Sequence, residues 1–139
     1  MTPAGPSVLI VAHRTAATPR LIEAVRRRAQ AGAGPFTLLV PRTYWDPDTE
    51  VAALTIELAV PLLEEAVGAP VEALIGEGDP LNAVRAALED GHYDEVIVST
   101  LPERVSHWLR LDLPSRVERL GVPVETVTAE GRHAPVVGA

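Results

Sequence analysis

Strand-like and helix-like patterns alternate along the whole chain. This predicts an α/β domain built on an open, doubly wound, five-stranded parallel sheet with helices on both faces. Three observations carry the prediction. The strand candidates are short unbroken apolar runs, as strands buried on both faces must be. Two of the helical patterns between them begin at proline or aspartate, residues suited to a first helical turn and a cap. The 139 residues, 47% of them hydrophobic, suffice for one core and are too few for two comfortable ones, so residues 1–139 are expected to form a single domain.

The elements follow in order. "SVLIVA" (7–12) reads as a strand buried on both faces, and "PRLIEAVRRRAQ" (Pro19–Gln30) as a helix with Pro19 at its start. "FTLLVP" (Phe36–Pro41) is the second strand. "TEVAALTIELAVPLLEEAV" (Thr49–Val67) places Leu54, Leu58 and Leu62 on one helical stripe, with Pro61 set to bend or split the helix. "VEALIG" (71–76) is a third, less apolar strand. "DPLNAVRAALED" (79–90) supplies an Asp79 cap, Pro80 in the first turn, and Leu81, Val84 and Leu88 on one face. "DEVIVST" (94–100) is the fourth strand and "VPVETVT" (122–128) the fifth. A loop, a short helix over 103–109 and a helix over about 113–120 lie between them, and the tail from about 129 reads as irregular.

Composition excludes several kinds of chemistry. There is no cysteine, hence no disulfide framework, thiolate zinc site or cysteine nucleophile. All twelve basic residues are arginine, which removes Schiff-base chemistry and the lysine of a P-loop. A net charge of -7 argues against non-specific nucleic-acid binding. No apolar run approaches the ~18 residues of a membrane span, and "MTPAGPS" does not read as a signal peptide, so a cytoplasmic protein is expected. The charge is uneven: residues before Tyr44 hold six arginines and one acid, the remainder six arginines and eighteen acids. Arg26, Arg27 and Arg28 near the end of the first helix read as a solvated cluster complementing the helix dipole.

In doubly wound sheets ligands sit at the carboxyl ends of the strands where strand order reverses. With the first strand central and beside the fourth, that crevice would lie between Ala12, His13 and Arg14 on one side and Ser99 and Thr100 on the other. Arg104 and Arg110 follow in the next loop.

The order of elements, the "GDP" before the third helix, "DEVIVST" with its long loop and "GVPVETV" as the last strand resemble the universal stress protein family over essentially the whole chain. The resemblance implies a five-stranded α/β fold, often a dimer through the last strand, in a family with ATP-binding and non-binding members. Its ATP-binding members carry an acidic residue after the first strand, where this chain has His13. After the fourth strand they carry glycine, two residues, glycine, nine residues, glycine, then serine or threonine. At that spacing this chain has Ser99, Pro102, Asp112 and Leu113, so every position departs. Proline has no N–H to offer a phosphate, a carboxylate capping the last helix would repel one, and leucine removes a hydroxyl. At about 1–3 kcal/mol for each lost charged or buried hydrogen bond, ATP binding in the family's manner should weaken by several kcal/mol.

The reading is a small binding or regulatory protein without a cofactor or metal and without catalytic residues. "GxSxG" and "HExxH" are absent, and no two histidines are spaced as a local metal pair. It is expected to be a homodimer with Val122, Val124 and Val127 covering the fifth-strand edge, and to act through a protein partner. The alternative is a nucleotide- or anion-binding stress sensor that holds ATP, another adenine nucleotide or a smaller anion with His13, Arg14, Ser99, Thr100, Arg104 and Arg110. A small hydrolase would have His13 as its candidate. Three further features have plain readings: "GEGDP" (76–80) as a turn and cap, "TYWDPDTE" (43–50) as a capped loop, and His92 in a turn away from the crevice. Val105, Trp108 and Leu109 fall on one side of the short helix, which can pack on the domain or on a partner, or stack on a ring.

Overall fold

In the computed structural model, strands β1 (Val8–Val11), β2 (Phe36–Pro41), β3 (Glu72–Gly76), β4 (Glu95–Thr100) and β5 (Val124–Thr128) form one parallel sheet in the order β3-β2-β1-β4-β5. The structure describes residues 5–13, 15–41, 49–76, 79–101, 107–110 and 112–129, with the backbone alone at 49–51, 107 and 110. Strand order runs outward from β1 to β3 and resumes beside β1 with β4. The reversal therefore falls between β1 and β4, the arrangement on which the expected crevice was conditional.

The helices are α1 (Pro19–Gln30), α2 (Thr49–Val67), α3 (Pro80–Asp90), α4 (His107–Arg110) and α5 (Leu113–Glu118). Side chains alternate across the sheet with period two. Val8 and Ile10 thus join a cluster with Leu21, Val25, Ala59 and Leu63 from α1 and α2, while Leu9 and Val11 join Ala83, Val84, Leu113 and Val117 from α3 and α5. All four β1 residues are fully buried. At the end of β3, a Cβ on Gly76 would stand 2.5 Å from that of Ala83, so glycine is required where α3 crosses the strand. Asp79 then caps α3, accepting from the Asn82 N–H at 2.8 Å.

Four expectations are sharpened or corrected by the structure. Leu54, Leu58 and Leu62 form a stripe on the solvent side of α2, whereas Ala52, Ala59 and Leu63 face the core. Both faces of this helix are apolar, and the one with two alanines lets the backbone lie close to the sheet. Pro61 does not divide α2, which runs unbroken through it; its exposed position leaves water to satisfy the carbonyl that loses a donor. Nor is the arginine cluster uniformly solvated. Arg26 pairs with Glu23 at 2.8 Å, but Arg28 is half-buried and reaches Glu95 of β4 and, at 2.6 Å, Glu125 of β5. Packing of α1 over the amino ends of these strands brings the three together. Asp112 is the fourth case and belongs to the site below.

A polar clasp joins the amino ends of β1 and β4. Ser7 N–H donates to Asp94 Oδ2 at 2.9 Å, and Asp94 N–H donates to the Ser7 carbonyl at 2.9 Å. His92 Nε2 lies 3.1 Å from Asp94 Oδ1. The Ser7 N–H chiefly, outweighing the opposing effect of desolvation and aided by the Ser7 hydroxyl and His92, holds the Asp94 carboxyl below its ordinary 3.8. A depressed carboxylate stabilises the fold above its unfolded pKa, and the contribution is lost as pH falls through the folded value. Thermal melts of wild type and Asp94→Ala should therefore differ at neutral pH and converge at acid pH. A difference unchanged down to the lowest folded pH would contradict the clasp.

Candidate functional site

At the carboxyl end of the sheet, β1 leads into a turn closed by Ala16 N–H donating to His13 O at 3.2 Å and Thr18 N–H donating to Thr15 O at 3.1 Å. The Thr18 hydroxyl also donates to Thr15 O, at 2.8 Å, which is why Thr18 occupies the cap of α1 without a side-chain cap bond. This turn points Thr15 back at β4. Its Oγ1 lies 2.6 Å from Ser99 Oγ, and the two residues are 2% and 1% exposed.

Ser99 and Thr100 do not act as a pair. Being consecutive in a strand they project to opposite faces, Ser99 toward the α1 layer and Thr100 toward the α3 and α5 layer. The Thr100 hydroxyl is buried and lies 3.5 Å from that of Thr128 on β5. His13 is half-buried beside the turn, its Nδ1 shielded from solvent. Arg14, Pro102, Arg104, Val105 and Leu111 lie outside the described residues, as does the Arg110 side chain, so the proposed arginine cluster is outside them too. Thr15 was missed by sequence reasoning. A threonine three residues past a strand carries no signal of its own until the turn is known.

On the other face of the sheet, α5 packs against α3, and α4 against α5. Trp108 is buried at 7% exposure among Leu113, Val117, Val84 and Val98, so the short helix packs on its own domain. A shallow groove of about 240 Å³ beside it is lined by Asp79, Pro80, Leu81, Trp108, Leu113 and Arg116. Asp112 stands at the cap position of α5 but does not cap it. Its backbone is left-handed, at φ 56° and ψ 41°, and its side chain makes no cap hydrogen bond. An N-cap residue needs extended backbone to aim its side chain at the helix N–H groups, and left-handed geometry turns it away. Its carboxylate is exposed.

No protein-family model and no curated protein matches the chain in sequence. Solved structures do match. A universal stress protein in complex with cAMP aligns with a TM-score of 0.64 at 15% identity, over 92% of this chain and all of that one. The hypothetical protein MJ0577 aligns at 0.66 and 18%, over 93% and 99%. The universal stress protein of Archaeoglobus fulgidus in complex with dAMP aligns at 0.58 and 16%, over 88% and 97%. The fold is that of the universal stress proteins.

Of the four positions set by the motif spacing in the sequence, Ser99, Asp112 and Leu113 are among the described residues. Asp112, which the sequence spacing sets at the third motif glycine, has a positive φ, a conformation that glycine adopts without strain. Leu113, where the motif has serine or threonine, is 3% exposed and belongs to the core with Trp108 and Val117. Ser99, at the first motif glycine, is buried against Thr15. Val122 and Val127 are each 8% exposed and join opposite core clusters of their own domain, and Val124 is half-buried. Among the described residues β5 is nonetheless a sheet edge, with β4 on one side only.

Proposed function

We propose that this chain is a small cytoplasmic binding or regulatory protein, homodimeric and non-enzymatic, that uses the universal stress protein fold without binding ATP in the manner of its nucleotide-binding members. The observation that carries the reading is Leu113. A side chain seated in the core beside Trp108 stands where the motif needs a hydroxyl facing a phosphate. The Thr15–Ser99 pair supports it, since a buried hydroxyl already bonded at 2.6 Å is poorly placed to serve a ligand. A role in stress and a protein partner are inferences from the likeness of fold.

The second reading is an adenine-nucleotide or anion sensor. It is favoured by the neighbours solved with cAMP and dAMP, and by the positive φ kept at Asp112. Isothermal titration with ATP, with and without magnesium, and then with AMP and phosphate, separates the two. The first reading expects no heat at millimolar ligand. Micromolar binding abolished by Arg104→Ala or Arg110→Ala would overturn it in favour of the second.

A further inference from the structure

The outer face of α2 carries a row of exposed leucines that no other described element covers. Leu54, Leu58 and Leu62 are 58%, 69% and 43% exposed and follow one another at four-residue steps, so they lie along a single ridge. Scattered exposed leucines are ordinary, but three on one ridge make a contiguous apolar strip. The exposed Pro61 extends it.

From this ridge we infer that the outer face of α2 is the surface through which two copies of this chain associate, about a two-fold axis at Leu58. The inference rests on the homodimer reading above and assigns its interface to α2 instead of β5. The spacing is its own complement: an antiparallel second copy sets Leu58 against the partner's Leu58 and Leu54 against the partner's Leu62. Rows at i±4 interdigitate with a crossing of about -50°, which carries the ends of each α2 off the seam and over the elements beside it. On this face the neighbouring element is α1.

The charges of the two helices suit that crossing. α2 carries Glu50, Glu57, Glu64 and Glu65 and no basic residue, whereas α1 carries Arg20, Arg26, Arg27 and Arg28 against Glu23 alone. Arg20 and Arg27 lie on the solvent side of α1, and Glu57 and Glu65 on that of α2. An acidic helix laid over a basic one steers association and sets orientation. The same acids disfavour an anionic membrane surface as the occupant.

The chain has no cysteine, so an introduced thiol reports its own surroundings. Sedimentation of wild type at tens to hundreds of micromolar should show a dimer. Leu58→Arg, at an exposed position that the fold does not need, should raise its dissociation constant at least ~30-fold, as loss of an interface hot spot does, with a thermal melt that matches wild type at concentrations where both are monomeric. Under mild oxidation Leu58→Cys should cross-link to a second copy, and Thr126→Cys on the exposed side of β5 should not. A wild-type monomer at the highest concentration would overturn both the interface and the homodimer. A dimer that survives Leu58→Arg, with cross-linking through Thr126→Cys, would overturn the α2 interface and leave the homodimer standing.

Discussion

Leu113→Ser, which restores the residue type of the nucleotide motif at that position, is expected to destabilise the protein and not to create a phosphate site. Leu113 is 3% exposed and packed with Trp108 and Val117 over β4. Truncating a buried leucine costs about 2–5 kcal/mol, through lost transfer free energy and the cavity left behind. Serine adds a hydroxyl to an apolar pocket, which raises the cost further. At roughly 4 °C per kcal/mol for a domain of this size, the melting temperature should fall by at least ~8 °C. Calorimetry with and without millimolar ATP checks both halves of the prediction. An unchanged melt, or a nucleotide-dependent rise, would mean that position 113 faces a ligand.

Thr15→Val should cost about 1–3 kcal/mol, the penalty for leaving the Ser99 hydroxyl buried without its partner. Valine keeps the shape of threonine, so the loss reports the hydrogen bond and not a cavity. Ser99→Ala strands the Thr15 hydroxyl in the same way. The double variant removes both groups and should be less destabilised than the two single losses added together, since only one interaction exists to be lost. Urea unfolding of the four proteins measures the coupling. Strict additivity would show that the 2.6 Å contact contributes nothing, and that Ser99 is free to serve the crevice.

The sheet was legible because its strands are buried on both faces: "VLIV" and "EVIVST" have no other use in a chain of this length, whereas their order, with β1 beside β4, was only assumed from the sequence and came from the coordinates. Asp79 and Pro80 were legible because cap and first-turn chemistry is local. The stripe on α2 was not. Leu54, Leu58 and Leu62 have the right period for a core face, but Ala52, Ala59 and Leu63 share that period on the opposite side, and periodicity cannot rank two apolar faces. Arg28 could not be placed either, because its partners, Glu95 and Glu125, are about seventy and a hundred residues away and meet it only through the packing of α1. At the site, the substitutions at Ser99, Asp112 and Leu113 could be read as departures from a motif. Their consequences needed coordinates: the left-handed φ of Asp112, the Thr15 hydroxyl against Ser99, and Leu113 in the core.

The central claim is that the carboxyl end of β4 and the start of α5 are occupied by packing and not prepared for a nucleotide. The most direct test is an NMR titration of the labelled protein with ATP and magnesium, following the backbone amides of Ala12, His13, Ser99, Thr100, Asp112 and Leu113. The account predicts that these amides stay where they are at millimolar ATP. Saturable shifts concentrated at Ser99, Asp112 and Leu113 would contradict it, and would identify this end of the sheet as a nucleotide site.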